Sequence, residues 1–259
     1  MSNKPLYFRG QGGVKTSALD ANNAPVGFRS AGNVPDLKVE LSVQWLEHRE
    51  SQSGNQLMDA KIPKSSDCKV TFTLETTLDL ANQALAFYGS TSTGGGTGAT
   101  TFTGKVLPAT MQVGFDYMFG PAGATITSLV DSSTTPVTVA ATDYTVNRDG
   151  TLTINNLATY KLPLIASGNL VAYNEVNILD QPTQDIALIF NGLNTMTGKA
   201  VVVKFPRIRL NPAKSVSFIG NDWVKYELEG QALADPQAIA DAAIADDALL
   251  GYGSVQFVE

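Results

Sequence analysis

The chain has 259 residues, 43% of them hydrophobic, enough for one large domain or two small ones and for a substantial core. Only 16% are charged, against a typical ~25%, and the formal net charge is -6, which disfavours a surface that grips nucleic-acid phosphates. Cys68 is the single cysteine, so no internal disulfide is expected. No apolar run approaches the ~20 residues of a membrane span, and MSNKPLYFRG lacks the apolar segment of a secretory signal. These features favour assembly in a reducing cytoplasm. Thr, Ser, Asn and Gly fill much of the polar remainder, which suits a β-rich protein that buries part of its outside against copies of itself.

Leu37, Val39, Leu41, Val43 and Trp45 alternate with Lys38, Glu40, Ser42 and Gln44. Period two predicts a strand with one buried face. Cys68, Val70, Phe72 and Leu74 repeat the pattern after a polar gap at 50–67, which is too long for a tight turn and reads as a loop. Such a loop on a rigid sheet is either mobile or used for contacts. In TTLDLANQALAFYG (76–89), Leu78, Ala81, Leu85 and Tyr88 share a helical face. Thr77 reads as the N-cap, Asp79 lies in the first turn, and Gly89 suits the left-handed C-cap.

The Gly/Ser/Thr-rich stretch around 93–105 reads as a flexible linker, and 106–178 as a module of short strands. Met111, Val113, Phe115 and Tyr117 alternate, as do Tyr144 with Val146 and Leu152 with Ile154, the last two pairs joined by the turn signal RDGT. This predicts an inserted small β-sandwich of immunoglobulin-like kind. Longer strands return beyond 179. Val201, Val203 and Phe205 share one parity, Ile208 and Leu210 the other, so Pro206 marks a bulge or an edge. Val224, Tyr226 and Leu228 give another strand. Asp235 and Pro236 open an alanine-rich helix over about 236–250, and YGSVQFV closes the chain as a strand.

The sequence offers little chemistry. GSTSTGGGTGATTFTGK resembles a phosphate loop, but five residues separate Gly98 from Gly104 where four are needed, and Val106 stands where Ser or Thr would reach magnesium. The segment also leaves a helix and enters strands, the reverse of a phosphate loop. The same flawed spacing recurs from Gly192 to Gly198. RGQGG at 9–13 lacks the third glycine of a dinucleotide fingerprint. His48 is the only histidine, and no GxSxG elbow supplies a nucleophile. Cys68 alternates with core residues and reads as one of them. No cofactor, metal or catalytic residue is expected, and no enzyme.

The order of segments resembles the major tail tube proteins of long-tailed bacteriophages. YFRGQGGVKTSAL…GFRSAGNVPDLKVELSVQWLEHRES is similar to their opening, CKVTFTLETTLDLANQALAFYG to their strand-then-helix unit, and KAVVVKFPRIRLNPAKSVSFIGNDWVKYELEGQALADP to their closing strands. The resemblance implies a mainly β, sandwich- or barrel-like fold of two packed sheets with one flanking helix. It divides the chain into 1–92 and 179–259 as the tube domain, interrupted by the 106–178 module. It further implies hexameric rings stacked into a tube in the virion tail, assembled in the host cytoplasm. Copies of the chain itself would be the main partners, with tape measure, terminator and distal tail proteins, and no membrane. DNA would pass through the lumen without specific binding.

On the same resemblance, the 50–67 segment would contact a neighbouring ring through Glu50, Asn55, Gln56, Leu57, Met58, Asp59, Lys61, Ile62 and Lys64. Glu40 and Glu75 are the candidates for acidic lumen residues. Two other classes compete with the tube reading. A β-sandwich adhesin or carbohydrate-binding module would require the 106–178 module to bind saccharide, and a carboxylate hydrolase would require paired acids that no motif marks.

Overall fold

A computed structural model describes residues 7–51, 54–94, 100–157, 159–234 and 251–258. In chain order these form β1 (Gly10–Ala18), β2 (Arg29–Ser30), β3 (Asp36–Arg49), β4 (Met58–Leu74) and α1 (Leu80–Phe87). Then come β5 (Thr91–Gly94), β6 (Thr100–Val106), β7 (Asp116–Met118), β8 (Thr125–Val130), β9 (Tyr144–Val146), β10 (Thr151–Ile154), β11 (Ile165–Leu170) and β12 (Tyr173–Val176). β13 (Gln184–Asn194), β14 (Ala200–Leu210), β15 (Tyr226–Ala232) and β16 (Ser254–Phe257) complete the chain. The protein is mainly β, with one α-helix among the described residues. It separates into two compact units, one from Met1–Ser90 with Val176–Glu259 and the other Thr91–Glu175.

The first unit is built on one antiparallel sheet in the order β2-β1-β13-β14-β15-β4-β3, with β16 added to β14. Strand β14 divides its free edge between two neighbours, β16 along Val201–Lys204 and β15 along Ile208–Leu210. The division is possible because the ladder with β13 shifts register between the Leu188–Phe205 and Ile186–Ile208 pairs, where Pro206 and Arg207 face Ala187 alone. Pro206 has no N–H to give to a ladder, so the bulge belongs there. The extra residue flips the parity, and Val201, Phe205, Ile208 and Leu210 are all buried in consequence. Phe205, Ile208 and Leu210 join Cys68, Val70, Phe72, Leu74, Leu188, Tyr226 and Leu228 in the core of this unit. Burial raises the Cys68 thiol above its usual pKa, as fits a core residue.

Helix α1 is capped one or two residues away from the expected positions. Asp79, not Thr77, is the N-cap and accepts from Asn82 N–H, while Tyr88, not Gly89, takes the left-handed position at φ 50° and ψ 45°. Tyr88 tolerates it because its ring is buried and its hydroxyl donates to the Leu210 carbonyl. Gly89 is required for another reason, since a Cβ there would collide with the Asn177 carbonyl oxygen. Leu78, expected on the packed face, precedes the helix and is 89% exposed. Asn82 is buried in its place, bonding the carbonyls of Ala31 and Thr76.

The second unit holds two three-stranded sheets, β7-β10-β9 and β6-β11-β8, around a separate core that includes Leu129, Leu152, Ile154, Leu164 and Ala166. The β9–β10 hairpin turns through Asn147–Gly150 with Gly150 at φ 83°, as RDGT predicts. The stretch 93–105, expected as a flexible linker, instead contains the end of β5 and most of β6, because Thr-rich sequence suits a pleated strand as well as a loop. The strand expected from Met111 to Tyr117 is confined to Asp116–Met118. Gly114 at φ 83° breaks it, leaving Met111 buried but Val113 and Phe115 exposed. The predicted helix over 236–250 lies outside the described residues, as do 95–99 within the linker.

Candidate interaction surface

The segment expected as a loop over 50–67 is mostly strand. β3 and β4 form a ribbon paired from Asp36–Thr73 to Arg49–Met58. Directly opposed residues share a face, so Leu37, Val39 and Leu41 lie with Phe72, Val70 and Cys68. Beyond Cys68 the ribbon outruns its core. The alternation that predicted a buried face is real, yet Leu41 is 77% exposed and Trp45 49%, with Val39 and Val43 also exposed. Among the described residues no strand pairs with the outer edge of β3, a run of fourteen residues.

The ribbon's far end is stapled locally. Gly54 and Gln56 take positive φ in the turn, Glu50 N–H bonds the Leu57 carbonyl at 2.9 Å, and Arg49 reaches the Gln56 carbonyl at 3.3 Å. His48 Nδ1 lies 2.5 Å from Asp59 Oδ1, and this contact holds the Asp59 carboxyl below its usual range. Lys61 pairs with Glu47 at 3.3 Å and stands 5.0 Å over the Trp45 ring. Of the predicted contact residues, Glu50, Asn55, Gln56 and Leu57 sit in the turn. Met58, Asp59, Lys61, Ile62 and Lys64 sit on β4; Leu57 in the turn and Met58 and Ile62 on the strand are exposed.

The other face of the same strands is charged. Its ladder sets Glu227, Thr73 and Asp36 in one row, Glu229, Thr71 and Lys38 in the next, then Gln231, Lys69 and Glu40. Lys38 pairs with Asp36 at 2.6 Å, while Glu229 receives Lys214 at 3.0 Å and Lys69 at 3.1 Å, which hold its carboxyl low. Glu40 is exposed on this face. Glu75, just beyond β4, is half-buried, pairs with Lys225 at 3.2 Å and accepts from Asn33 Nδ2 at 2.5 Å. The two acids are therefore not equivalent, and the lysines that neutralise their neighbours escaped sequence reasoning. Alternation could have flagged Lys69 only once β15 was known to lie beside β4.

No group of three or more metal-binding side chains occurs among the described residues. Asp131 is the acid most strongly held in its charged form, with a pKa lowered to about 2 by Val137 N–H, the Ser133 hydroxyl and the Lys161 and Ser133 amides. It organises the 131–137 loop of the second unit and has no free lone pair aimed at a ligand. Asp185 is pushed upward by burial, but Arg209 and Arg207, at 2.8 and 2.7 Å, outweigh it. Among the described residues no helix is long and apolar enough to cross a membrane.

The fold and its surface define a class of mainly β, two-unit chains whose first unit extends a long ribbon with an apolar face beyond its own core. Within that class the chain belongs to the family described as Protein of unknown function UCP028589, whose model matches residues 7–246. No curated protein matches it.

Proposed function

We propose that this chain is the repeating structural subunit of a bacteriophage tail tube, six copies closing a ring and rings stacking into the conduit for the genome. The observation that carries the reading is the β3–β4 ribbon. Burying a fully exposed large apolar side chain gains about 1.5–3 kcal/mol; Leu41, 77% exposed, stands to gain most of that and the half-exposed Val43 and Trp45 a smaller share, and an open edge of fourteen residues attracts another strand. A monomer gains nothing from either. In a ring, β3 adds to the sheet of the next copy, the apolar face is covered, and the far end of the ribbon reaches the adjacent ring. Glu50, Leu57, Met58, Ile62 and their neighbours are then the inter-ring contacts.

The charged face fits the lumen of such a tube. Five acids (Asp36, Glu40, Asp67, Glu227 and Glu229) outnumber Lys38, Lys69 and the Lys214 that pairs with Glu229, so the face repels phosphate and lets DNA slide. Glu40 suits this role better than Glu75, which Lys225 neutralises. The subunit has no catalytic task in this reading. Its partners are copies of itself and the tail proteins that begin, measure and end the tube, and its place is the virion tail.

Shortening the ribbon tests the proposal. Trp45 and Pro63 are opposed, so residues 46–62 can be replaced by a two-residue Asn-Gly turn. The expected product folds, forms rings and does not stack them. Tubes of normal length from this variant, seen by electron microscopy, would contradict the assignment.

A further inference from the structure

A second apolar feature of the first unit lies outside the ribbon. The connection between β14 and β15, residues 211–225, is fixed at its base. Asn211 N–H bonds the Glu229 carbonyl and Ala213 N–H the Ala86 carbonyl, both at 2.8 Å, while Lys214 pairs with Glu229 at 3.0 Å. Val216 and Val224 pack on the core, and the Phe218 ring stacks on Phe87 with centroids 6.3 Å apart. From this base Phe218, Ile219 and Trp223 project 73%, 94% and 87% exposed. Phe218 is anchored through Phe87, and the Ser217 hydroxyl donates to the Ile219 carbonyl at 2.9 Å, so the three large apolar side chains project as a knob from a connection with a fixed base, which lowers the ordering cost of binding.

The same unit carries an apolar groove of about 500 Å³ beside the Pro206 bulge, lined among others by Pro25, Phe28, Ile189, Phe205 and Ser254, with Lys204 in its wall. Lys204 makes no ion pair among the described residues, and neither does Asp222, the residue next to Trp223 in the knob. Knob and groove are thus matched in polarity and opposite in charge. A chain bearing both on different parts of its surface makes a head-to-tail contact, the kind that closes rings.

We propose that the knob of Phe218, Ile219 and Trp223 seats in the Pro25–Phe28–Phe205 groove of the neighbouring copy, with Asp222 facing Lys204. The inference rests on the tube reading and names a lateral contact that β-strand addition alone does not supply.

Charge reversal tests it on the full chain, by sedimentation and negative-stain microscopy, with circular dichroism to confirm folding. Wild-type assembly is measured first, because a strictly monomeric wild type removes the tube reading and this inference together. Given an assembling wild type, D222K and K204D are each expected to raise the concentration needed for rings by ~10-fold or more. An equimolar mixture of the two should recover assembly, since each knob then finds a groove of opposite charge. Single variants that assemble like wild type, or a mixture no better than either alone, would overturn the contact while leaving the tube intact. Binding of wild type to phosphatidylglycerol vesicles, abolished by W223S while ring formation is unchanged, would overturn it in favour of a membrane-seeking knob.

Discussion

Tyr88 and Gly89 divide a task that a single glycine performs in many helices. The left-handed cap costs Tyr88 about 1–2 kcal/mol, but its ring is buried, and truncating a buried aromatic costs about 3–5 kcal/mol. Packing wins, so the tyrosine accepts the strained backbone. Gly89 is kept because Asn177 passes directly against its Cα. Gly89→Ala is expected to destabilise the first unit by more than ~2 kcal/mol, measured by denaturant unfolding, although Gly89 has an ordinary φ. Asp131 gives a pH signature instead. Its folded pKa, about 2, lies below the ~3.9 of an unfolded aspartate, so its contribution is complete above pH ~4 and disappears as pH falls toward 2. Asp131→Asn should lower the melting temperature at neutral pH and flatten that acid limb; an unchanged acid limb would show that other carboxylates set it.

At the scale of elements, the ribbon separates stability from assembly. Its inner half is core, with Val70, Phe72 and Leu74 fully buried, while the half beyond Cys68 touches little of its own chain. Removing residues 46–62 should therefore leave the melting temperature of the first unit nearly unchanged while abolishing stacking. A large fall in melting temperature would mean that the far end stabilises the monomer. The same division explains what the sequence disclosed. Period two revealed β3, the inner half of β4, β10 and the parity change at Pro206, since alternation is a local property of a pleated strand. It could not say that the apolar face of β3 lacks a cover among the described residues, because burial depends on which strand lies across the core. The outer half of β4 was hidden by its composition: Lys61, Lys64, Ser65, Ser66 and Asp67 are ordinary loop residues, and only the ladder to β3 makes them a strand. The knob escaped for a related reason, since Phe218, Ile219 and Trp223 follow no period.

Over the whole molecule, the described residues of a single copy leave an open strand edge, an apolar ribbon face and a knob with its groove uncovered. Low overall charge and a net charge of -6 are consistent with a subunit that hides one surface against itself and turns an acidic one toward passing DNA. Each of these features belongs to the first unit. The second unit has its own core and its own sheets, two of three strands and the β5–β12 pair. Negative-stain electron microscopy of the purified full-length protein at high concentration, with seed tails present, tests the central claim most directly. Rings and stacked tubes with an axial channel are expected; a field of single, compact particles under those conditions would contradict the tube assignment.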